Sequence, residues 1–251
     1  MDYSEAISRM VDSHRSRLVD GFILDKTSFG TDSVTELHCK GVPVVVTNGS
    51  PVATTETGEP IPAVNIDSLL AGRQAGEHLL SLGHRRVAIV TRTYSSIPNH
   101  WRPWHISNLR EGFQAAFEKL NIQNDPELVF EAEPSDILGV ISVVERMLSL
   151  PDPPTALFAA DDALAVAIIN ALHRRGMDVP RDMSVIGYGD WSPAVYLSLC
   201  PLSTIRCPLR ESGQLAMRLL IDILEGRQPK ERQILLPTEL ICRSSTTPLI
   251  R

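Results

Sequence analysis

The chain has 251 residues, which is enough for one large α/β domain or for two lobes of ordinary size. Hydrophobic residues make up 43% of it, so a sizeable core can be buried. The net charge is −6, from 24 basic and 30 acidic residues, and no cluster of Lys and Arg stands out. Binding to a phosphate backbone requires such a cluster, so the sequence as given predicts a poor nucleic-acid binder.

Neither a membrane span nor an export signal is recognisable. The longest aliphatic run, residues 163–169, is far shorter than the roughly 20 residues that cross a bilayer. The first residues have neither the basic nor the apolar region of a signal peptide, so we expect a cytoplasmic protein. The four cysteines lack the spacing of a zinc site or a disulfide framework, so we expect reduced thiols, no metal and no cofactor. They are Cys39, Cys200, Cys207 and Cys242.

The predicted elements begin with a helix over residues 4–18, whose apolar residues follow at helical spacings. Apolar runs then alternate with helical patterns. The runs lie at residues 21–24, 42–47, 87–91, 155–159 and 183–188, and further helical stripes lie at 109–120 and 215–224. Nearly continuous apolar runs are typical of strands covered on both faces, which predicts an α/β fold of parallel sheets flanked by helices.

Four glycines follow the helical patterns at the position where a residue in the left-handed backbone conformation commonly ends a helix. They are Gly41, Gly83, Gly176 and Gly226, and a strand or extended segment follows each of them. A doubly wound sheet normally starts with a strand, whereas this chain starts with a helix. We therefore expect that a preceding strand is missing.

Motifs of one known family occur along nearly the whole chain, in that family's order. They lie at residues 19–24, 41–46, 64–67, 78–80, 83–88, 110–113, 154–162, 179–188, 201–205, 236–240 and 243–245. The most recognisable are Val-Asn-Ile-Asp at 64–67 and Gly-His-Arg-Arg-Val-Ala at 83–88. On these motifs the chain resembles the effector-binding region of transcription regulators of the lactose-repressor and galactose-repressor type (LacI/GalR type). That region has the fold of periplasmic sugar-binding proteins.

The resemblance implies two lobes, with a small effector bound in the cleft between them. Lobe one comprises residues 1–66 and 206–236, and lobe two comprises residues 67–205 and 237–251. Family members usually form homodimers, and we expect a carbohydrate-like effector. The resemblance also implies that the opening βαβ segment of lobe one and the helix-turn-helix head are absent from this chain. DNA contact would then go only through a head that the chain lacks, and no contact with a membrane is expected.

In open parallel sheets, ligands bind beyond the carboxyl ends of the strands. Asn48 directly follows the run at 42–47, where the resemblance implies a polar contact with the ligand. Turn geometry also favours Asn at such a position. The sequence leaves both interpretations of Asn48 open.

Residues 93–106 include several aromatic side chains, Trp101 and Trp104 among them. Flat rings cover the apolar face of a sugar or stack on a base, so both tryptophans are candidate effector contacts. Packing at a domain edge or at a dimer surface is an equally open interpretation. His100 and His105 do not make a convincing metal site, because no third ligand lies nearby in the sequence.

Asp161 and Asp162 open the helix that follows the run at 155–159. Asp162 matches an acidic residue that the family keeps at this turn, and we predict that it caps the helix. Asp161 stands where the family usually has Asn, so it is a candidate acceptor for hydroxyl groups of the effector. Sequence neighbours do not face each other on a helix, so the two are a poor acid–base pair for an enzyme.

Two departures from the family bear on the effector. Sugar-binding members carry Arg where this chain has Leu109, and Arg110 stands one step later, a rotation of about 100° on a helix. Gly189 replaces the first acidic residue of another family contact, which leaves Asp190 and Trp191 there. Either the cleft takes a more apolar or aromatic-stacked molecule, or Arg110 and Asp190 substitute for the lost contacts. Arg110, Asp190 and Trp191 are therefore candidate effector contacts.

Enzyme motifs are not found in the sequence. The Gly-Tyr-Gly at 187–189 lacks the third glycine of the dinucleotide fingerprint, and neither a phosphate loop nor a G-x-S-x-G elbow occurs. We therefore expect the effector-sensing domain of a transcriptional regulator and not an enzyme. An extracytoplasmic sugar-binding component of a transport system shares the fold and is the alternative.

Overall fold

The computed structural model describes residues 3–25, 31–48, 60–93, 104–122, 125–191, 195 and 199–249. The chain divides into two compact units. Unit one comprises Met1–Asp67, Pro98–His105 and Pro208–Leu236, and unit two comprises Ser68–Ile97, Ile106–Cys207 and Pro237–Arg251. Within the described ranges, no helix is both long enough and apolar enough to span a bilayer.

Helices and strands alternate along most of the described chain. In chain order they are α1 (Tyr3–Arg15), β1 (Phe22–Asp25), α2 (Thr31–Cys39), β2 (Val44–Thr47), β3 (Ala63–Ile66), α3 (Ser68–Ser81), β4 (Val87–Arg92), α4 (Trp104–Glu118), β5 (Val129–Ala132), α5 (Ile137–Leu148), β6 (Ala156–Ala159), α6 (Asp162–Arg174), β7 (Ser184–Gly189), β8 (Ser203–Arg206), α7 (Leu209–Leu224), β9 (Gln233–Leu236) and β10 (Glu239–Ile241). The five predicted apolar runs form β1, β2, β4, β6 and β7, and all four helix-ending glycines have positive φ, as predicted.

The sheet of unit one has four parallel strands in the order β1-β2-β3-β9. Alternate residues of β2 face opposite layers, since Val44 and Val46 pack with α1 and α2 whereas Val45 packs with α7. Burial on both faces explains the nearly continuous apolar run that predicted this strand. At the carboxyl edge of the sheet, β1 ends at Asp25 and Asn48 follows β2.

The sheet of unit two has six strands in the order β10-β8-β7-β6-β4-β5, and only β10 is antiparallel to its neighbour. Helices α3 and α4 cover one face, and α5 and α6 cover the other. The rings of Phe113 in α4 and Phe158 in β6 stack with centroids 5.7 Å apart. After β4 the chain adds β5 on one side and then returns to add β6 on the other. The direction of winding therefore reverses between β4 and β6.

The burial pattern of β5 explains why the sequence analysis does not predict it. Its four residues, Val-Phe-Glu-Ala, alternate between more exposed and buried positions, so one face of the strand is not covered. The strand therefore lacks the continuous apolar run that identified the central strands.

His84, from the motif at 83–88, lies near the start of β4 and makes hydrogen-bond contacts with the starts of β6 and β7 and with the carboxyl-terminal segment. The side chain is buried, with Nδ1 2.9 Å from Thr155 Oγ1 and Nε2 3.0 Å from the carbonyl oxygen of Thr247. Nε2 also lies 3.1 Å from Ser184 Oγ. A carbonyl oxygen only accepts, so Nε2 carries the hydrogen. Burial lowers the pKa of His84, which keeps the imidazole neutral.

Helices α3 and α4 cross with their backbones in close contact. A Cβ atom added at Gly112 would lie 2.0 Å from the carbonyl oxygen of Leu69, and one added at Gly72 would lie 2.0 Å from that of Leu109. Both distances are shorter than any real Cβ contact, so only glycine fits at either crossing. The glycine of the motif at 110–113 is therefore explained by helix packing.

We expect Gly112→Ala to lower the free energy of unfolding by about 3 kcal/mol, because the added methyl group must push α3 and α4 apart. Gly213→Ala in α7 is the matched control. A Cβ atom there meets nothing within 4 Å, and Ala is preferred to Gly in a helix by about 0.5–1 kcal/mol. Urea unfolding of the whole chain measures both. Equal stabilities of the two variants would contradict the close packing of α3 and α4.

Candidate functional site

The reversal of winding in unit two brings three charged side chains together at the carboxyl edge of its sheet. Arg92 is the last residue of β4, Glu133 follows β5 and Asp161 follows β6. Nη2 of Arg92 donates to Glu133 Oε1 at 2.7 Å, and Nη1 lies 3.8 Å from Asp161 Oδ2. In open parallel sheets the ligand crevice lies at such a reversal. These three residues, the switch-point trio, are therefore the candidate site of unit two.

Arg92 and Glu133 are candidates that the sequence analysis does not name. The sequence could have identified Arg92, because this residue directly follows the apolar run at 87–91 and so marks the carboxyl end of a predicted strand. The sequence could not have identified Glu133, because the strand that precedes it was not predicted. Recognising the trio requires the pairing of β4 with β5 and β6, which is not a local property of the sequence.

Asp161, and not Asp162, is the residue that caps α6. Its backbone is extended, with φ −165° and ψ 137°, and its Oδ1 accepts a hydrogen bond from the N–H of Leu164 at 3.1 Å. The prediction that Asp162 caps the helix was wrong by one residue. An N-cap stands before the first helical residue, and α6 already includes Asp162. The side chain of Asp161 is 14% exposed, and its Oδ2 is the oxygen near Arg92.

Asp162 is completely buried and joins β6 to the two strands beyond it. Its Oδ1 accepts a hydrogen bond from Thr204 Oγ1 at 2.6 Å, and its Oδ2 accepts one from the N–H of Asp190 at 2.5 Å. Burial is the main cause that raises the pKa of Asp162, to about 6, against an ordinary value of 3.8. Its role is to hold the loop after β7.

Asp190 lies in that loop with both carboxylate oxygens bound to arginines. Oδ2 accepts from Arg206 Nε and Oδ1 from Arg243 Nη2, each at 2.7 Å, and the side chain is only 2% exposed. Asp190 thus fixes the turn after β7, and its contact with an effector stays a prediction. Trp191, which follows it, is 61% exposed.

The glycine that replaces the family's acidic residue has a local reason. Gly189 has φ 136°, and a Cβ atom there would lie 2.6 Å from Cδ1 of Trp191. A side chain at 189 would therefore displace the indole ring or strain the turn.

Asn48, in unit one, has the left-handed conformation that turns favour for Asn, with φ 53°. Its Nδ2 donates a hydrogen bond to Asp25 Oδ2 at 3.0 Å. The turn geometry is thus present, and the amide is held at the carboxyl edge of β1 and β2. An effector contact of Asn48 stays a prediction.

The remaining candidates lie on or before α4. Arg110 is partly exposed on that helix, whereas Leu109 is completely buried against α3. Trp104 is the first residue of α4, but its side chain is outside what the structure describes, and Trp101 and His100 lie outside the described residues altogether. Among the described residues, no group of three His, Cys, Asp or Glu side chains is placed to hold a metal ion.

Acidic groups exceed basic ones among the ion-paired side chains described at the carboxyl edge of the sheet of unit two. The acidic residues are Glu133, Asp161, Asp190 and Glu239, and the basic ones are Arg92, Arg206 and Arg243. Each of these arginines already has a carboxylate within 4 Å. Among these described ion pairs positive charge is not in surplus, so they favour a ligand without negative charge.

The pKa of Asp162 predicts a pH-dependent stability. The folded state keeps the proton up to about pH 6, whereas the unfolded chain loses it near pH 4. The stabilising contribution of protonated Asp162 is thus lost as the pH rises from about 4 to about 6. We expect the wild type to lose about 2 kcal/mol relative to Asp162→Asn between pH 4.5 and pH 7.

Urea unfolding at several pH values measures this difference. Asn keeps both hydrogen bonds, since its carbonyl oxygen accepts from the N–H of Asp190 and its amide donates to Thr204 Oγ1. Asp12→Asn, at an exposed position of α1, is the control and is expected to follow the wild type. Parallel stability curves for the wild type and Asp162→Asn would contradict the prediction.

Comparison with known proteins identifies the fold. Residues 76–246 match the family model of a periplasmic binding protein-like domain. The chain is 31% identical over 240 residues to the HTH-type transcriptional regulator DegA of Bacillus subtilis, covering 94% of this chain and 66% of DegA. It is 31% identical over 189 residues to the HTH-type transcriptional repressor CytR of Escherichia coli, covering 75% of this chain and 53% of CytR.

A solved structure of a LacI family transcriptional regulator from Enterococcus faecium, with bound ribose, superposes with a TM-score of 0.79 at 28% identity. The match covers 97% of this chain and 85% of that one. This chain spans 66% of the length of DegA and 53% of that of CytR. The predicted α/β fold, with parallel sheets flanked by helices, is confirmed. The chain belongs to the family of periplasmic binding protein-like domains, and its relatives here are transcriptional regulators of the LacI type.

Proposed function

We propose that this chain is the effector-sensing part of a LacI-type transcriptional regulator that acts in the cytoplasm. DegA and CytR, its relatives, are transcriptional regulators and not transport components or enzymes. We assign DNA binding to a helix-turn-helix head of the kind that both relatives are named for, outside the matched region. This chain then binds its effector without converting it.

The effector site is assigned on the family resemblance and on the switch-point trio. We take residues 1–66 and 206–236 as lobe one and residues 67–205 and 237–251 as lobe two. The observation that carries the proposal is the Asp161–Arg92 pair at the winding reversal, because it combines an acceptor and a donor where sheets of this kind bind ligands.

We propose a neutral, hydroxyl-rich effector such as a sugar. A carboxylate accepts hydrogen bonds from hydroxyl groups, and a guanidinium donates to hydroxyl or ring oxygens. The excess of carboxylates among the ion pairs of this edge disfavours phosphates and sugar acids. The relative from Enterococcus faecium is known with bound ribose, a neutral sugar. Asn48, Trp101, Trp104, Arg110, Asp190 and Trp191 remain proposed contacts.

The test is calorimetry of the whole chain with a defined panel of neutral sugars, sugar phosphates and sugar acids. The panel contains D-ribose, D-glucose, D-galactose, cellobiose, D-ribose 5-phosphate, D-glucose 6-phosphate and D-galacturonate. We expect a neutral member to bind and Asp161→Ala to weaken its binding at least tenfold, because the hydroxyl acceptor is removed. Failure of the wild type to bind any neutral member would contradict the proposal.

Asp136→Ala is the matched control for Asp161→Ala. Asp136 caps α5 in the same way, since its Oδ1 accepts from the N–H of Gly139 at 2.9 Å. Loss of either cap costs about 1 kcal/mol of stability. The two variants should therefore be destabilised alike, and only Asp161→Ala should lose affinity. An equal loss of affinity in both variants would assign the effect to stability.

We further propose that the protein forms a homodimer through the groove between α5 and α6. The groove has a volume of about 340 Å³, and its apolar lining includes Val140, Ile141, Ala163, Val166 and Ala167. Beside it, Leu138 is 78% exposed and Ile137 is 60% exposed. Contiguous exposed apolar surface is typical of protein interfaces.

A second copy of this chain suits the groove better than another occupant. In a two-fold dimer the same surface meets itself, so Leu138 of one copy can enter the groove of the other. Arg174 lines the groove at the last residue of α6, whereas Asp136 stands at the opposite end, before α5. Two antiparallel copies therefore also bring opposite charges together.

Leu138→Glu tests the dimer by analytical ultracentrifugation at micromolar concentration. We expect a dimeric wild type and a monomeric variant, because a carboxylate buried at the interface is not compensated. Leu120→Glu is the control, at a leucine of unit two that is 51% exposed and does not line the groove, and it should remain dimeric. A monomeric wild type, or a dimeric Leu138→Glu, would contradict the interface.

A further inference from the structure

Arg92 is held at the winding reversal in a geometry that suits hydrogen bonding to a hydroxyl group. Its Nη1 lies 3.8 Å from Asp161 Oδ2, which is longer than a hydrogen bond. A hydroxyl oxygen placed to one side can lie about 2.8 Å from both atoms. It then accepts from Nη1 and donates to Oδ2. The pair therefore provides one donor and one acceptor for a single hydroxyl group.

Glu133 controls how Arg92 interacts with charged ligands. Its Oε1 binds Nη2 of Arg92 at 2.7 Å from the side opposite Asp161 along the sheet, since β4 lies between β5 and β6. A guanidinium flanked by two carboxylates keeps its N–H donors but offers no net attraction to an anion. In this position Arg92 can donate a hydrogen bond to a neutral hydroxyl group, but it does not attract a phosphate or a carboxylate.

We propose that Arg92 is a specificity-determining residue of the effector site, which selects a neutral hydroxyl group through Asp161 and excludes anions through Glu133. The inference rests on the proposed function and names the residue of unit two that donates a hydrogen bond to the effector.

The alternative role for Arg92 is a structural clamp between the segments after β5 and β6. Arg86 provides the comparison, because it lies just before the other end of the same strand. Its Nη1 donates to Asp125 Oδ2 at 2.7 Å, and its Nε also contacts Asp152. Arg86 therefore makes similar ion pairs where no ligand is expected in a parallel sheet.

The test measures affinity for the sugar panel and the midpoint of thermal unfolding in three variants of the whole chain. We expect Arg92→Met to weaken binding of the neutral sugar at least tenfold while its unfolding midpoint stays within about 2 °C of the wild type. Arg92→Lys should recover part of the affinity, because it retains a charged donor. Arg86→Met should bind within about twofold of the wild type.

Glu133→Gln tests the exclusion of anions directly. The variant removes one of the two carboxylates described beside Arg92, so we expect the affinity for D-ribose 5-phosphate relative to D-ribose to rise at least tenfold. An unchanged ratio would overturn the role of Glu133 and with it the inference.

Two further outcomes separate the inference from the proposed function. If Arg92→Met binds the neutral sugar normally, or loses affinity only together with stability as a clamp would, the inference is overturned and the proposed function stands. If the wild type binds no neutral sugar of the panel, the proposed function fails and the inference fails with it.

Discussion

The reversal of winding between β4 and β6 is the constraint on which the candidate site depends. Right-handed crossovers place their helices on one face of a sheet while the chain moves one way and on the other face when it moves back. The connection after β4 therefore leads to α4 on one face, and the connection after β6 leads to α6 on the other. In open parallel sheets, the carboxyl ends of two strands with such a reversal between them are where ligands bind.

Asp161 and Asp162 show how a one-residue difference separates a partly exposed carboxylate from a buried one. The extended backbone of an N-cap turns the side chain of Asp161 across the end of its helix, where it remains partly exposed. Asp162, already helical, points into the unit and is bound by groups from the next two strands. The buried carboxylate and its partners hold the loop after β7, and the partly exposed one is left available to a ligand.

The strands β4, β6 and β7 were predictable because burial on both faces gives each a nearly continuous apolar run, whereas the interior strands β3 and β8 contain polar residues and were not predicted. The edge strand β5 carries no such run, so Glu133 could not be placed. Two adjacent aspartates satisfy the same capping rule, so sequence alone does not separate Asp161 from Asp162, and the backbone dihedral angles are needed to tell which one is the cap. The pairing of Arg92 with Asp161 depends on strand order, which local patterns do not contain.

The two departures from the family pattern have structural reasons that point the same way. Leu109 lies where α3 and α4 meet backbone to backbone at Gly72, so a charged side chain there would be buried without a partner. At the end of β7, Gly189 has a positive φ, and a Cβ atom there would lie 2.6 Å from Cδ1 of Trp191, so a side chain would displace that ring or strain the turn. Arg92 at the end of β4 lies instead between the carboxylates of Glu133 and Asp161. On the proposed role of Arg92, this guanidinium has two acidic neighbours, and a neutral effector is therefore the better match for it.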